Sequence, residues 1–201
     1  MVIFSLLRLS TILCLLISII RVNHAKGVKE KYYMDRMCGD DPFILNGDNR
    51  PGISFYLTSN SKYKANLNCT VKFRTAQPSQ RLIVTIERMN ILDCPGDLLK
   101  IYDGEKIVNA NLERQCGSSA SFTFTSSTTQ VTMIFTSNTE RESSGFKIAI
   151  ALHFPMIAHC PQNLGFYLCK NKNCISKKLE CNGGDHCGDG TDEIQCGFLS
   201  G

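Results

Sequence analysis

Cysteine is the residue type with the most evident chemistry in this chain, which holds eleven cysteines in 201 residues. Thiols pair as disulfides in oxidising compartments, and both the density and the odd count are unusual for a cytosolic enzyme. Six of them fall within a short C-terminal stretch that is too small to bury a sufficient core, so bridges or a metal must hold it. The cysteines therefore predict a secreted or lumenal protein built on disulfides.

Catalytic signatures are absent from the sequence. It has no Gly-x-Ser-x-Gly elbow, no His-Glu-x-x-His pair and no phosphate-binding loop. If the cysteines pair, none is left as a nucleophile. We therefore expect a protein that is not an enzyme.

Composition and charge narrow the partner classes. Hydrophobic residues make up 43% and charged residues 20% of the chain, which excludes a disordered or collagen-like protein. The formal net charge of +4 is small and dispersed. The sequence therefore predicts no nucleic-acid partner.

The first 25 residues have the features of a secretory signal. Arg8 precedes an apolar segment, residues 9–20, which Arg21 ends, and Ala25 offers a cleavage point. That segment would reach about 18 Å as a helix, too short to span a bilayer. Cleavage would remove Cys14, leave ten cysteines that can pair completely and lower the net charge from +4 to +2. The alternative is an uncleaved leader that anchors the chain in a membrane.

Cysteine spacing and strand patterns predict the division of the chain. Between Cys38 and Phe154, short segments rich in β-branched and aromatic residues alternate with turn signals; in one, Phe122 and Phe124 share a face opposite Thr123. No stretch has helical periodicity, so we expect a mainly β chain with an antiparallel β-sandwich. The predicted strands are 82–86, 98–102, 121–125, 131–136 and 146–150. The predicted divisions are 1–25 signal, 26–37 N-terminal arm, 38–154 sandwich, 155–159 linker, 160–196 small module and 197–201 tail.

Several motifs of the first region resemble a CUB domain. They are Cys38-Gly39, Tyr63 before Asn66-Leu67-Asn68-Cys69, the stretch Asp97-Leu98-Leu99-Lys100-Ile101-Tyr102-Asp103-Gly104, Cys116-Gly117 and Gly145-Phe146. The resemblance covers residues 38–154 and implies a β-sandwich with bridges Cys38–Cys69 and Cys94–Cys116. Val71 departs from the family pattern, in which many members carry Trp.

The second region resembles a class A module of the low-density lipoprotein receptor, and its C-terminal loop Cys187-Gly188-Asp189-Gly190-Thr191-Asp192-Glu193 carries most of the match. Phe166 before Cys169, Cys174-Ile175 and Cys181-Asn182-Gly183 add to it. Six cysteines allow fifteen pairings, which sequence alone leaves open. The resemblance implies Cys160–Cys174, Cys169–Cys187 and Cys181–Cys196.

Class A modules hold Ca²⁺ with carboxylate and backbone oxygens. The resemblance assigns carboxylates to Asp192 and Glu193 and carbonyl oxygens to Leu179 and Gly184. Asn182 and His186 stand where many members carry Asp, and imidazole is a poor calcium ligand. We therefore expect a weakened calcium site. The alternative, zinc held by His186 and free cysteines, fails if the cysteines are paired.

Many CUB domains also bind Ca²⁺ through an acidic trio at one edge of the sandwich. Asp97 matches the central Asp, Asp93 is a candidate for the upstream Glu, and Asn138 stands where the third Asp usually lies. With one clear match in three, this second calcium site is the weaker prediction. The competing interpretation of Asp97 is a turn residue that caps a strand.

Other polar residues carry simpler predictions. Asn68-Cys69-Thr70 is a glycosylation sequon. The lysines of the small module are expected to keep it soluble, and His153 and His159 are expected to be linker residues.

The two resemblances together imply an extracellular binding or adaptor protein of the receptor-auxiliary or cell-guidance type. It would bind extracellular or cell-surface proteins by holding their basic side chains on acidic loops around calcium. A membrane would be reached only through a partner or a C-terminal span outside this sequence. The alternatives are a secreted decoy or antagonist of a receptor–ligand pair, and a truncated single-pass receptor; a structural matrix role ranks last.

Overall fold

The computed structural model describes residues 30–104, 106–107, 116–119, 121–155, 160–194 and 196. Thirteen β-strands and four short 3₁₀ segments form within these residues. The strands are β1 Lys31–Tyr33, β2 Phe43–Leu45, β3 Gly52–Tyr56, β4 Asn68–Thr75, β5 Arg81–Ile91, β6 Leu98–Asp103, β7 Lys106–Ile107, β8 Gly117–Ser119, β9 Phe122–Thr125, β10 Gln130–Thr136, β11 Gly145–His153, β12 Phe166–Leu168 and β13 Cys174–Ser176. The 3₁₀ segments are Met34–Arg36, Gln162–Leu164, Lys177–Leu179 and Thr191–Glu193.

Two packed sheets form the larger part of the structure. One has the order β1-β3-β11-β5-β8, with β9 also paired to β5, and the other has the order β2-β4-β10-β6-β7. Most neighbours are antiparallel, while the strand pairs β1–β3 and β2–β4 are parallel. The sequence-based expectation of a mainly β sandwich is confirmed, with mixed rather than purely antiparallel sheets.

Alternating side chains explain the second sheet. Along β10 every other residue is buried, with Val131, Met133 and Phe135 pointing inward. Phe135 packs edge-on against Tyr63, with ring centroids 5.1 Å apart, and Phe55 packs in the same way against Phe73 at 4.8 Å. These aromatic pairs centre the core between the two sheets.

Strands β5 and β11 do not alternate between buried and exposed residues as β10 does. Residues 82–86 of β5 and 148–152 of β11 are buried without interruption. A strand buried on both faces needs a second layer on its outer side. That layer is the C-terminal cysteine-rich module, in which β12 and β13 form a two-stranded sheet.

The N-terminal arm is partly a strand of the sandwich. β1 pairs in parallel with β3, placing Tyr33 opposite Tyr56. Arg50 lies 4.6 Å from the ring centroid of Phe43 and 5.8 Å from that of Tyr32, which fastens β1 to the neighbouring loop. Residues 31–33 thus extend the sheet by one edge strand.

Candidate functional site

Asp97 is the centre of the polar cluster at one end of the sandwich. Its carboxylate is fully buried and accepts hydrogen bonds from the Tyr63 hydroxyl and from the Asn138 backbone N–H, the latter at 2.8 Å. Its own N–H donates to the Asp93 carbonyl at 2.6 Å. Asp97 therefore joins three segments that are distant in sequence, which is more than capping a strand.

Asn138 links Asp93 to the facing loop. Its Oδ1 accepts from the Glu140 N–H at 2.8 Å, and this fixes the orientation of the amide because only an oxygen can accept that bond. Its Nδ2 then donates to the Asp93 carboxylate. The structure thus brings together Asp93, Asp97 and Asn138, the trio suggested by the sequence, with Tyr63 as a fourth member.

The electrostatics of this end follow from burial. Burial, reinforced by the hydrogen bond to the Asp97 carboxylate, raises the pKa of Tyr63 to about 12. The hydroxyl therefore stays protonated and remains a donor. The outer rim is exposed and carries both charges: Glu140, Arg141 and Glu142 lie beside the partly exposed Asp93, which gives one basic and three acidic side chains.

The acidic loop of the small module uses most of its carboxylates to bind backbone N–H groups. Asp185 accepts from Gly188 and Gly190, at 2.6 and 2.9 Å. Glu193 accepts from Asn182 and Gly183, at 2.8 and 2.9 Å. These bonds hold the loop folded onto itself.

His186 and Asp192 form the buried centre of this loop. The His186 backbone N–H donates to Asp192 Oδ2 at 2.9 Å, and His186 Nδ1 lies 2.8 Å from the Gly184 carbonyl oxygen and 3.8 Å from Asp192 Oδ2. Burial lowers the pKa of His186 to about 4, against the opposing effect of two backbone carbonyls. Burial also raises the pKa of Asp192 to about 6.

The remaining predicted ligands lie around this pair. Asn182 Oδ1 accepts from the Gly184 N–H at 3.1 Å, and the Leu179 side chain is buried in the module's apolar cluster. Asp192 Oδ1 is buried and has no hydrogen-bond partner. Among the side-chain oxygens of the predicted calcium ligands in the described residues, it alone is buried without a hydrogen-bond partner.

These donors do not fit a calcium ion well. Calcium takes about six to eight oxygen ligands, whereas here the Gly184 carbonyl faces the His186 ring and Glu193 Oε1 holds two backbone N–H groups. One unpaired oxygen of Asp192 does not supply the difference. At the end of the sandwich, the Asp93 carboxylate is likewise already engaged, because it accepts a hydrogen bond from Asn138 Nδ2. Within the described residues, no group of three or more His, Cys, Asp or Glu side chains is placed to hold a metal ion.

The contact between the two modules is a functional feature that the motif-based interpretation missed. An apolar cluster joins Ile83 and Ala151 of the sandwich to Ile175 and Leu179 of the small module. His153, taken from the sequence as a linker residue, is the last residue of β11 and is half-buried. The unbroken apolar runs 82–86 and 148–152 were the signal that could have revealed this contact, because a solvent-facing sheet alternates.

The ten cysteines after the predicted leader form five disulfides, in the pairing that the resemblances imply. They are Cys38–Cys69, Cys94–Cys116, Cys160–Cys174, Cys169–Cys187 and Cys181–Cys196. Asn68, the predicted glycan acceptor, is an exposed residue at the start of β4, and its glycosylation stays a prediction. The predicted leader with Cys14, His159 and the tail 197–201 lie outside the described residues.

None of the helices in the described ranges has the length and apolar character needed to cross a membrane.

Two family models match the chain. The CUB domain model matches residues 38–150, and the model of the low-density lipoprotein receptor domain class A matches residues 159–196. Domains of both kinds generally bind extracellular proteins and Ca²⁺.

Similar proteins include a bovine suppressor of tumorigenicity 14 protein homolog and rat cubilin. The first is 30% identical over 138 residues, which cover 67% of this chain and 15% of that protein. The second is 30% identical over 132 residues, which cover 62% of this chain and 3% of that protein. The chain thus spans a small part of each relative, and an extracellular protein-binding role fits both.

A solved structure of the CUB1-EGF-CUB2 region of human MASP-1/3 has a TM-score of 0.47 and 18% identity, covering 58% of this chain and 42% of that one. The family-model match covers more than half of the chain on its own. The chain belongs to the CUB domain family, and a low-density lipoprotein receptor class A module follows its CUB domain.

Proposed function

We propose that this chain is a secreted, non-catalytic adaptor that captures a basic side chain of a partner protein. Capture takes place at the end of the CUB sandwich formed by the loops around Asp93 and Asn138, here called the loop end. The observation that carries the proposal is the Asn138 amide, which bonds the Asp93 carboxylate on one side and the Glu140 N–H on the other. This bridge holds two acidic segments close together on the surface. Carboxylates placed side by side are suited to a guanidinium or ammonium group.

Order in the surrounding loops supports a binding role. The Ser143 hydroxyl donates to the Asn90 carbonyl, and Asn90 Nδ2 donates to Ser144 Oγ at 3.0 Å. Together with the Asp97 bonds, these contacts fix both loops before a partner arrives. A surface that is already ordered loses less conformational entropy on binding.

The same end offers an apolar contact. Leu92 is 54% exposed and directly precedes Asp93. A basic side chain with an apolar neighbour in the partner would match this arrangement. Charge complementarity would then set the association rate and the choice of partner.

Capture in this proposal is direct rather than calcium-assisted. Asn138 supplies an amide in place of a third carboxylate, and its Nδ2 group donates a hydrogen bond to the Asp93 carboxylate. The predicted role of calcium in partner binding is therefore not part of the proposal. A decoy would use the same surface, and only its cellular context would differ from that of an adaptor.

The test is binding of cell-surface proteins to immobilised residues 26–201, compared between the wild type and the D93N/E140Q variant. Both substitutions remove charge but keep side-chain size, so the fold is expected to persist. We expect at least one bound protein to bind about tenfold more weakly to the variant, equal to about 1.4 kcal/mol, and to bind equally well with EDTA.

The matched control is D41N/D48N, which changes the charge by the same amount at two exposed positions away from the loop end. Partners that bind equally to the wild type, the control and the D93N/E140Q variant would contradict the proposal. Loss of binding in EDTA would contradict direct capture while leaving a partner-binding role in place.

A further inference from the structure

We propose that His186 takes over, in this chain, the structural role of a metal ion in the class A module. Its imidazole orders the acidic loop, residues 182–193, and holds this loop against the outer face of the CUB sheet. The occupant of this face of the class A module is thus the CUB domain of the same chain. The inference is independent of where an external partner binds.

The ring of His186 makes contacts in both modules. The residue is 1% exposed, with Nδ1 2.8 Å from the Gly184 carbonyl oxygen and Nε2 3.2 Å from the Ile53 carbonyl oxygen of β3. The first contact lies within the loop and the second crosses to the CUB sheet. A neutral imidazole carries one N–H, so the ring donates a hydrogen bond to one of these two carbonyl oxygens and packs against the other. The ring thus lies between the loop and the CUB sheet and contacts both.

Polar contacts surround this histidine. Across the interface, the Asp185 N–H donates to Glu87 Oε1 at 3.0 Å, and Lys147 Nζ donates to the Gly183 carbonyl at 2.8 Å. Lys147 also pairs with Glu87. Thr123 Oγ1 donates to the Gly188 carbonyl at 3.2 Å. Three backbone groups of the loop, the Gly183 carbonyl, the Asp185 N–H and the Gly188 carbonyl, thus bond side chains of the CUB sheet.

Glycine positions show how closely the two surfaces approach. A Cβ atom added at Gly52 would lie 2.9 Å from Leu179 Cδ1 and 3.0 Å from His186 Cδ2. At Gly188, an added Cβ would lie 2.3 Å from Thr123 Cγ2. Contacts this short leave no room for a side chain, so glycine at both positions is needed for the two surfaces to pack closely.

Small residues on the sheet permit this approach. Ala149 and Ala151 are fully buried on β11, and Thr85 is 1% exposed on β5. Side chains this small on the outer face of a sheet let a second layer approach the strands closely. The class A loop is that layer, which explains the missing alternation in β5 and β11.

A direct consequence concerns the acidic loop as a binding surface. In an isolated class A module, carboxylates gathered around a cation could take a basic side chain from a partner. Here the loop faces Glu87, Lys147 and Ile53 of its own chain. An external partner must therefore use another surface of the module.

The test measures thermal unfolding and backbone hydrogen exchange of residues 26–201 in millimolar calcium and in EDTA. We compare the wild type with H186D, which restores a carboxylate and removes both ring contacts, and with N163D, which adds the same charge at an exposed position of the module. For the wild type and N163D we expect the same unfolding temperature in both solutions. For H186D in EDTA we expect an unfolding temperature about 2–8 °C lower and faster exchange across 182–188, both partly restored by calcium.

A second variant keeps the proposal testable if H186D does not fold. K147Q removes the contact to Gly183 from the CUB side, while K100Q makes the same change at an exposed residue of the other sheet. We expect faster exchange across 182–188 in K147Q and wild-type exchange in K100Q. The proposal is overturned if calcium raises the unfolding temperature of the wild type, or if neither H186D nor K147Q changes exchange in the loop.

Discussion

The CUB domain and the class A module bury apolar surface in different ways. The CUB core lies between two sheets and is formed by CUB side chains together with Met34 of the N-terminal arm, with Phe55, Phe73 and Phe135 among the largest. The apolar cluster of the class A module has six fully buried members, of which Ile83 and Ala151 belong to the CUB sheet. One domain therefore completes its own core, and the other is completed by its neighbour.

This difference shows how a small disulfide-rich module can gain stability from a larger one. Three disulfides constrain the unfolded state of the class A module. Packing on a preformed sheet then adds buried apolar area that the module cannot generate alone. Dependence between the two domains should run in one direction, and the following variants test it.

The largest effect is expected from Phe55→Ala in the CUB core. Phe55 is fully buried against Phe73 and Phe146, so its removal should cost about 3–5 kcal/mol of unfolding free energy. Because the sheet supports the class A module, hydrogen exchange in 160–194 should rise together with exchange in the CUB strands. Class A amides that keep wild-type protection would show that the module is independent.

Leu179→Ala tests the same dependence from the class A side of the contact. The Leu179 side chain is buried at 3% exposure in the shared cluster, so its truncation should cost about 2–4 kcal/mol locally. We expect faster exchange in the class A module and unchanged exchange in β4 and β10. The control L164A, at a 70% exposed leucine, should change neither. A global loss of CUB protection in L179A would reverse the inferred dependence.

Asp97→Ala tests whether the CUB loop end is held by its buried carboxylate. The change removes the acceptor of the Asn138 N–H and leaves the Tyr63 hydroxyl only its longer contact to the Arg141 carbonyl at 3.3 Å, which should cost about 1–3 kcal/mol. Exchange should rise in the segments around 93 and 138, far from the class A contact. D41A serves as the control at an exposed aspartate, and equal stability of the two variants would refute this role of Asp97.

The smallest effect is a pH dependence from His153 at the end of β11. Burial lowers its pKa below the usual 6.5, with an opposing contribution from the Cys174 backbone, and Arg81 lies opposite it on β5. The unfolded chain therefore binds the proton more readily, so the stabilising contribution is complete above 6.5 and is lost as the pH falls toward the folded-state pKa. The unfolding free energy of the wild type should drop more than that of H153Q between neutral and mildly acidic pH. Identical profiles would contradict the prediction, since His186 and Asp192 titrate in both proteins.

Motifs with a fixed spacing were accessible from the sequence. The Asp97–Gly104 stretch and the Cys187–Glu193 loop identified the two module types, because the residue types in them are determined by local turns and disulfides. Strand β10 was evident for a similar reason: its neighbouring residues alternate between core and exterior. In β9, Phe122 and Phe124 pack against the core, but Thr123 on the opposite face contacts the class A module. Strands β1 to β4 were not among the predicted strands. The edge strands β1 and β2 have three residues each and carry little periodicity. Strands β3 and β4 do alternate between buried and more exposed residues, and this pattern was overlooked.

The sequence predicted the residues of the candidate sites but not the groups that they contact. The sequence named Asp97, Asn138, His186 and Asp192, but it assigned them to calcium by analogy. Their hydrogen-bond partners come from other elements, such as Tyr63 for Asp97 and the Ile53 carbonyl for His186. Which partner a polar side chain meets is a long-range property that local patterns do not contain.

By itself, the sequence determined the module types, their order and the mainly β architecture. Cysteine spacing, turn residues and side-chain alternation are local constraints, and they act over a few residues at a time. Only the tertiary structure decided that the class A loop lies on the outer face of β3, β5 and β11, with His186 at the contact. That outcome depends on shape and hydrogen-bond complementarity between segments about a hundred residues apart, such as Glu87 and Asp185.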